Sequence, residues 1–536
     1  MQTIAMDDSN SIVTSSSSRW IATVASIWIQ AIMGVTYAFG IYSPVLKSSQ
    51  SYDQSTLDTV SVFKDIGGNA GVLSGLLYAA VASATHRWYG GPWFVLAVGA
   101  AQGFLGYFFM WLSVVGYIPP LPVPVMCFLM FIAAHSQTFF STANVVTGVL
   151  NFPDYSGTIV GILKGCLGLT GAILIQIHQT FFKEKPATFI LLIALLPSTV
   201  TLALMCLVKI SPGSKEHDKK HLNDFSIVTL AVAAYLMALI ILENIFDFPQ
   251  WVHIITLVGL LILLLSPLKI AVNAINNEKS VKQTNSTEIE KFVGEKNDDY
   301  KRLPGSSLDV IPAGESMNII EALKSVNFWL LFVSMACGMG SGLATVNNLS
   351  QIGQSLGYAT AKVNSLVSLY SIWNFLGRFG AGYVSDVLLR QRGWPRPVLM
   401  AITLATMSAG HVIIASGFPG NLYIGTVLVG ICYGSQWSLM PTITSEIFGV
   451  LHMGTIFNTI AVASPVGTYV LSVWVIGHIY DQEAGEGNAC FGAHCFMVSF
   501  FILASVSFLG FLVALTLFVR TRAFYKSVVI RRLRFL

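Results

Sequence analysis

Long apolar runs alternate with short polar turns along most of the chain. Runs at about 20–45, 66–85, 92–115, 122–145, 156–179 and 188–209 are followed by a close pair at 225–245 and 250–268. After a polar stretch come six more, at 326–346, 362–384, 396–416, 421–441, 454–480 and 496–520. Each is near the ~20 apolar residues that an α-helix needs to cross a bilayer. The pattern predicts an all-α, polytopic membrane protein of fourteen spans, six plus a hairpin plus six. The hairpin enters and leaves on one face around an acidic turn, Glu243 to Asp247, so its removal leaves the topology of the rest unchanged.

The polar positions divide the chain further. Residues 1–18 form a Ser-rich tail without a basic start, which speaks against a cleavable signal peptide. Residues 19–209 make an N-terminal six-helix bundle, 225–269 the hairpin, 326–520 a C-terminal bundle, and 521–536 a basic tail. Between them, 270–325 holds 16 of the chain's 56 charged residues. Such a segment buries too little apolar surface to offset its chain entropy, and it is expected to be a disordered cytoplasmic linker.

Composition narrows the class. Of 536 residues 54% are hydrophobic and 10% charged, against roughly 25% charged in soluble domains. This excludes an ordinary soluble enzyme, and a net charge of +4 is too small to suggest nucleic acid. With the N-terminus inside and fourteen spans, 24 of the 30 Lys and Arg fall on the inner side and five on the outer. Both termini are therefore expected in the cytoplasm. The chain carries no phosphate loop, His-Glu-x-x-His or Gly-x-Ser-x-Gly, so neither catalysis nor ATP-driven transport is expected, and no cofactor or metal. Two similar halves around a cytoplasmic loop are the plan of a carrier built from repeats.

The remaining basic residue, Lys164, lies about eight residues into its helix, ~12 Å along the axis. Gly157, Gly161, Gly168 and Gly171 share its face, a small-residue stripe that marks packing against helices or a cavity. A cation at that depth is costly and by default functional, attracting an anion or exchanging a proton; a structural role, bonded to backbone carbonyls, is the other reading. Further candidates for the cavity wall are Gln30, Tyr37, His135, Gln137, Asn374, Tyr433, Gln436, Trp437 and Asn458. His135 suits proton coupling, although an isolated buried His is more often a packing residue. Cys490 and Cys495 flank a short outer turn and are expected to pair in an oxidising compartment. His494 alone would not complete a metal site.

One motif is more specific. Gly377-Arg378-Phe379-Gly380-Ala381-Gly382-Tyr383-Val384-Ser385-Asp386, continued to Arg390 and Arg392, resembles the loop signature of the major facilitator superfamily. That resemblance implies two six-helix bundles and alternating access. Asp386 would be the acid that latches a helix N-terminus of the opposite half, at Tyr155-Ser156-Gly157. Arg378 and Arg390 would be its partners, and Glu446 would complete the network with Arg378. The equivalent acid position in the first half falls on Ala84, followed by His86 and Arg87. The likeness narrows to the plant nodulin-like branch on Arg19-Trp20, Trp28-Ile29-Gln30, Gly161 to Gly165, Asn347 to Tyr358, Ser371 to Arg378 and Ile479-Tyr480-Asp481. More distant relatives of that branch resemble oxalate/formate-type antiporters. Where the branch carries an acid before Asn348-Leu349, this chain has Asn347.

The sequence thus predicts a monomeric secondary transporter of a small solute, an anion on the strength of Lys164, with a co- or counter-transported ion. Plasma membrane and vacuolar or other endomembranes both stay open. The alternative is a non-transporting sensor that signals through 270–325.

Overall fold

A computed structural model describes residues 19–83, 91–182, 186–211, 218–246, 248–293, 316–418, 420–484 and 490–530. The described residues are helical almost throughout. The first half comprises α1 (Arg19–Gln50), α2 (Gln54–Asn69), α3 (Val72–Ser83), α4 (Pro92–Val115), α5 (Val123–Asn151), α6 (Ser156–Phe181) and α7 (Pro186–Leu204). The hairpin is α8 (Asp218–Ile245) and α9 (Gln250–Val293). The short α10 (Ile319–Lys324) precedes α11 (Val326–Ser355), α12 (Thr360–Arg392), α13 (Arg396–Ala415), α14 (Asn421–Phe448), α15 (Met453–Ala484) and α16 (His494–Phe524).

Eleven helices are long and apolar enough to cross a membrane; three of the fourteen runs in the sequence are absent from that set. One is interrupted: α2 stops at Asn69 and α3 starts at Val72. The second, α12, carries Arg378, Asp386, Arg390 and Arg392. The third, α14, carries Gln436, Ser438, Thr442, Thr444, Ser445 and Glu446 in its second half. In each case polarity is spent on contacts with other helices, as the sites below illustrate.

Two boundaries differ from the sequence reading. The polar stretch read as an outer loop contains α2, started by Asp53, whose carboxylate accepts the Thr56 N–H at 2.8 Å. The linker expected from 270 is helical up to Val293, because Asn273–Val293 has no Gly or Pro to stop it. The linker's far end is also ordered. Asn318 and Glu321 form a reciprocal capping box on α10. Ala84, His86 and Arg87, and residues 294–315 of the charged linker, lie outside the described residues.

Helix α6 is the structural axis, with 89% of its apolar window buried. It packs along α12 of the other half, and α3 packs along α15. Glycine makes the first contact possible: a Cβ on Gly382 would overlap the carbonyl of Gly157, and one on Gly161 would sit 2.9 Å from the carbonyl of Phe379. At the second, a Cβ on Gly75 would overlap the Thr455 backbone. Small residues set these close approaches, as in other membrane helix pairs.

The hairpin is fixed to the first half at both ends. Arg19 bridges Asp218 and Glu278, both at 2.7 Å, and Trp20 Nε1 donates to Glu278 at 3.0 Å. At the other end Gln176 Nε2 donates to Glu243 at 2.7 Å. An apolar cluster including Trp20, Ile162, Cys166, Phe225, Leu236, Phe375 and Phe379 joins the hairpin to α1, α6 and α12.

Candidate functional site

Between the two halves lies a cavity of about 690 Å³, counted with its open mouth. Its wall is drawn from both halves of the chain. The first half gives Thr36 and Tyr37 of α1, Lys64, Asp65 and Asn69 of α2, Gln137, Thr138 and Ser141 of α5, and Lys164 of α6. The second gives Arg378 of α12, Tyr433 and Trp437 of α14, and Phe457 and Asn458 of α15.

Lys164 is 3% exposed, and its Nζ donates to Ser141 Oγ at 2.7 Å. It lies 5.4 Å from the Trp437 ring centre and 5.7 Å from that of Phe457, within cation–π range. Arg378, 1% exposed, is the second cation. Its Nε donates to Asn374 Oδ1 at 2.7 Å and its Nη2 to the Tyr37 hydroxyl at 2.9 Å; Nη1 reaches the Lys164 carbonyl at 3.4 Å. Its guanidinium stands 5.5 Å from the same Trp437 ring. Among the described residues no carboxylate comes within 4.0 Å of either cation. The one acid on the wall, Asp65, pairs with Lys64 at 3.1 Å. The cavity therefore holds three bases and one acid.

The structure sorts the sequence candidates. Lys164, Tyr37, Trp437, Gln137, Tyr433 and Asn458 line the cavity. Asn374 is one step behind, orienting Arg378. Gln30, His135 and Gln436 are off the wall. The Gln30 amide is fully buried without a partner among the described residues. His135 Nε2 meets the Ala70 carbonyl at 3.0 Å, at the break between α2 and α3, and Nδ1 meets Gln102 at 3.2 Å. Gln436 packs against Gly338 and Met407.

At the far end of the α6–α12 contact, Asp386 sits on the start of α6. Its Oδ1 accepts the Gly157 N–H at 3.1 Å, and Oδ2 accepts the Thr158 N–H at 2.5 Å and the Thr158 hydroxyl at 2.7 Å. A carboxylate there meets free N–H groups and the positive end of the helix dipole.

The partners expected for Asp386 are corrected. Its cation is Arg396, at 2.6 Å, and Arg396 also holds Glu446 at 2.7 Å, Ser156 at 3.3 Å and Ser385. Glu446 accepts the Tyr525 hydroxyl on its other oxygen at 2.7 Å. Arg378 is eight residues earlier, more than two helical turns, so it reaches the cavity and not the latch. Arg390 is one turn later; it donates to the Asp154 carbonyl at 3.1 and 2.6 Å and stacks over Tyr155 at 3.9 Å. Gly377 packs inside the second half, where a Cβ would overlap the Ile431 carbonyl, whereas Gly382 faces the first half.

Sequence reasoning missed Arg396, Lys64 and Asp65 at their sites, and placed Arg378 at the wrong one. Arg396 is the first residue of the next helix, ten positions after Asp386, and its sequence neighbours carry no signal for the pairing. Cys490 and Cys495 are bonded, with Cα atoms 5.9 Å apart, and His494 Nε2 is 3.6 Å from the Cys490 sulfur.

Comparison with known proteins bears on this architecture. Residues 19–272 match the Nodulin-like family model and residues 313–527 match the model described as NFD4, C-terminal domain. The chain is a plant nodulin-like member of the major facilitator superfamily. It is 25% identical to Protein NUCLEAR FUSION DEFECTIVE 4 of Arabidopsis thaliana, over 95% of this chain and 89% of that one. It is 26% identical to the probable transporter MCH1 of Yarrowia lipolytica, over 36% of this chain and 42% of that protein. In fold it is similar to the proton:xylose symporter XylE, with 12% identity, TM-score 0.54 and coverage of 94% and 95% of the two chains. The human organic anion transporter MFSD10 (TETRAN) gives 11% identity, TM-score 0.52 and coverage of 93% and 99%. This nodulin-like chain is thus an integral, multi-pass membrane protein with a transporter fold.

Proposed function

We propose that this protein is a secondary carrier of a small anion that works by alternating access, with fourteen spans and both termini in the cytoplasm. The observation that carries the reading is the pair of buried cations, Lys164 and Arg378, contributed by opposite halves to one cavity without an ion-paired carboxylate among the described residues. Holding two uncompensated charges away from water is expensive. An anion between them relieves that cost, and because each half supplies one cation, the same anion draws the halves together. Trp437 serves both cations, and Gln137, Thr138, Ser141 and Asn458 offer hydrogen bonds to the solute.

The reading also covers the state of the molecule. On this reading the Asp386, Arg396 and Glu446 network is the closed cytoplasmic latch, and the cavity lined by Lys64 and Asp65 is open to the other side, an outward-facing arrangement. Removing the anion site and breaking the inner latch are therefore expected to have different consequences.

The test is a thermal-shift screen of the purified protein with formate, malonate, phosphate and methanesulfonate, repeated on Lys164→Gln and Arg378→Gln. At least one anion is expected to stabilise the wild type and neither variant. Equal stabilisation of all three proteins, or stabilisation by cations and neutral solutes alone, would remove the assignment.

A further inference from the structure

A second cavity opens at the end of the hairpin where α8 begins and α9 leaves its apolar run. Its volume is about 550 Å³, counted with its open mouth. Polar groups face each other across it: Lys220, His221 and Asp224 from α8, and Asn273, Asn276 and Asn277 from α9. The three asparagines stand at i, i+3 and i+4, so one helix face carries all of them. Lys269, exposed one turn before Asn273, extends that face. Asparagine is a poor helix former, yet α9 runs through this cluster to Val293.

The surroundings indicate where an occupant comes from. On the apolar side of the cavity Ile227 of α8 and Ile262 and Leu265 of α9 are 65%, 63% and 57% exposed. The apolar window of α9 is only 22% buried, the smallest share among the candidate spans. In a bilayer these side chains meet acyl chains, and the cavity, just beyond the end of the apolar run, is level with the lipid headgroups.

We propose that this cavity binds the headgroup of an inositol phospholipid, with an acyl chain lying along Ile227 and Leu265. The ammonium groups of Lys220 and Lys269 attract the phosphate. Each ring hydroxyl both donates and accepts, as do the three side-chain amides, and the Asp224 carboxylate accepts from a further hydroxyl. A choline headgroup offers neither net charge nor hydroxyls. A serine headgroup brings an ammonium toward the lysines and no hydroxyl for the amides.

The cavity is connected to the fastening of the hairpin. His221, 2% exposed, stands 3.8 Å from Asp224 and meets the Trp20 ring edge-on, at 5.2 Å between centres. Trp20 in turn donates to Glu278, one of the carboxylates that Arg19 holds. A headgroup bridging α8 and α9 at this level opposes their separation, so binding stabilises the attached hairpin.

The test uses the full-length protein in nanodiscs of phosphatidylcholine alone, or with phosphatidylinositol or phosphatidylserine added. Unfolding temperature is one readout, and lipid affinity by native mass spectrometry in detergent is the other. Soluble inositol 1-phosphate is a parallel arm. Phosphatidylinositol is expected to raise the unfolding temperature by about 3 °C or more. The double variants Lys220→Gln/Lys269→Gln and Asn276→Leu/Asn277→Leu should each bind it at least about tenfold more weakly. Both should unfold at the wild-type temperature in phosphatidylcholine alone, which separates loss of the site from misfolding. Lys526→Gln, at an exposed position on the C-terminal helix, should respond to the lipid as the wild type does. Equal stabilisation by phosphatidylserine overturns the polyol assignment. Equal binding of inositol 1-phosphate alone replaces the lipid with a soluble ligand, and an unchanged lipid response in both double variants puts the lipid elsewhere on the protein; either overturns the proposal.

Discussion

Asp386 and Thr158 are 228 positions apart, yet the carboxylate takes both the backbone N–H of Thr158, at 2.5 Å, and its hydroxyl, at 2.7 Å. The contact joins the two halves at one point, on the side that the proposed orientation makes cytoplasmic. Hydrogen bonds to a charged group are worth about 1.5–3 kcal/mol each, so Asp386→Asn should shift the equilibrium between states by at least about tenfold toward the inward-open form. Spin labels on the exposed positions Ile210 and Leu451, with the exposed Cys206 replaced, should show a longer cytoplasmic distance in the variant. An unchanged distance distribution would mean that Asp386 does not hold the latch.

The same interface predicts a contrast between two glycines on one helix. A Cβ on Gly382 overlaps the Gly157 carbonyl, which is backbone and cannot rotate away, whereas a Cβ on Gly380 meets nothing within 4 Å. Gly382→Ala should therefore separate α6 from α12 and favour the inward-open form. Gly380→Ala should leave the distribution unchanged and add a few tenths to about 1 kcal/mol of helix stability. The same pair of labels reads both, and similar behaviour of the two variants would refute the close-approach argument.

Arg378 tests whether the second cation acts by charge or by shape. Its guanidinium is held by Asn374, Tyr37 and the Lys164 carbonyl at once, a fork that a lysine ammonium does not reproduce. Arg378→Lys should keep the charge and still reduce anion transport at least about tenfold, while Tyr37→Phe, which removes one of the three contacts, should cost less. Wild-type transport by Arg378→Lys would show that charge alone is sufficient.

Much of the fold could be read from hydrophobic periodicity, because the bilayer demands long apolar helices and leaves few alternatives. What could not be read shows where that demand is relaxed. The break between α2 and α3 carries no proline; it becomes intelligible only when His135 is found on the Ala70 carbonyl and Asn458 on Thr142 and Ser74. Lys164 stood out because a cation far from a helix end is rare. Arg378 did not, since sequence adjacency tied it to Asp386, whereas eight residues along a helix separate the cavity from the latch. Arg396 was counted among the basic residues of an inner loop, and nothing in its neighbours in sequence indicates that it is 2% exposed between Asp386 and Glu446. Long-range pairs of this kind depend on helix packing, to which local pattern is blind.

The hairpin raises the question of whether it is an appendage or part of the bundle, and Arg19 offers the means to decide. Its guanidinium reaches Asp218 at the start of α8 and Glu278 on α9, each at 2.7 Å, with side-chain exposures of 2%, 4% and 10%. It also lies 4.8 Å from the Trp20 ring centre. Replacing the cation leaves two enclosed carboxylates facing each other, and removal of one partner from a buried ionic cluster typically costs about 3–5 kcal/mol. Arg19→Gln should therefore lower the unfolding temperature in detergent by several degrees. The double variant Arg19→Gln/Glu278→Gln should recover part of that loss, since it removes one of the opposed charges. Because the cluster containing Trp20 extends through Phe225 to Phe375 and Phe379 of α12, the damage should spread beyond the hairpin and appear as a single cooperative transition. Two separate transitions, with the hairpin melting first and the bundle unaffected, would show instead that the hairpin is an independent unit attached to the carrier.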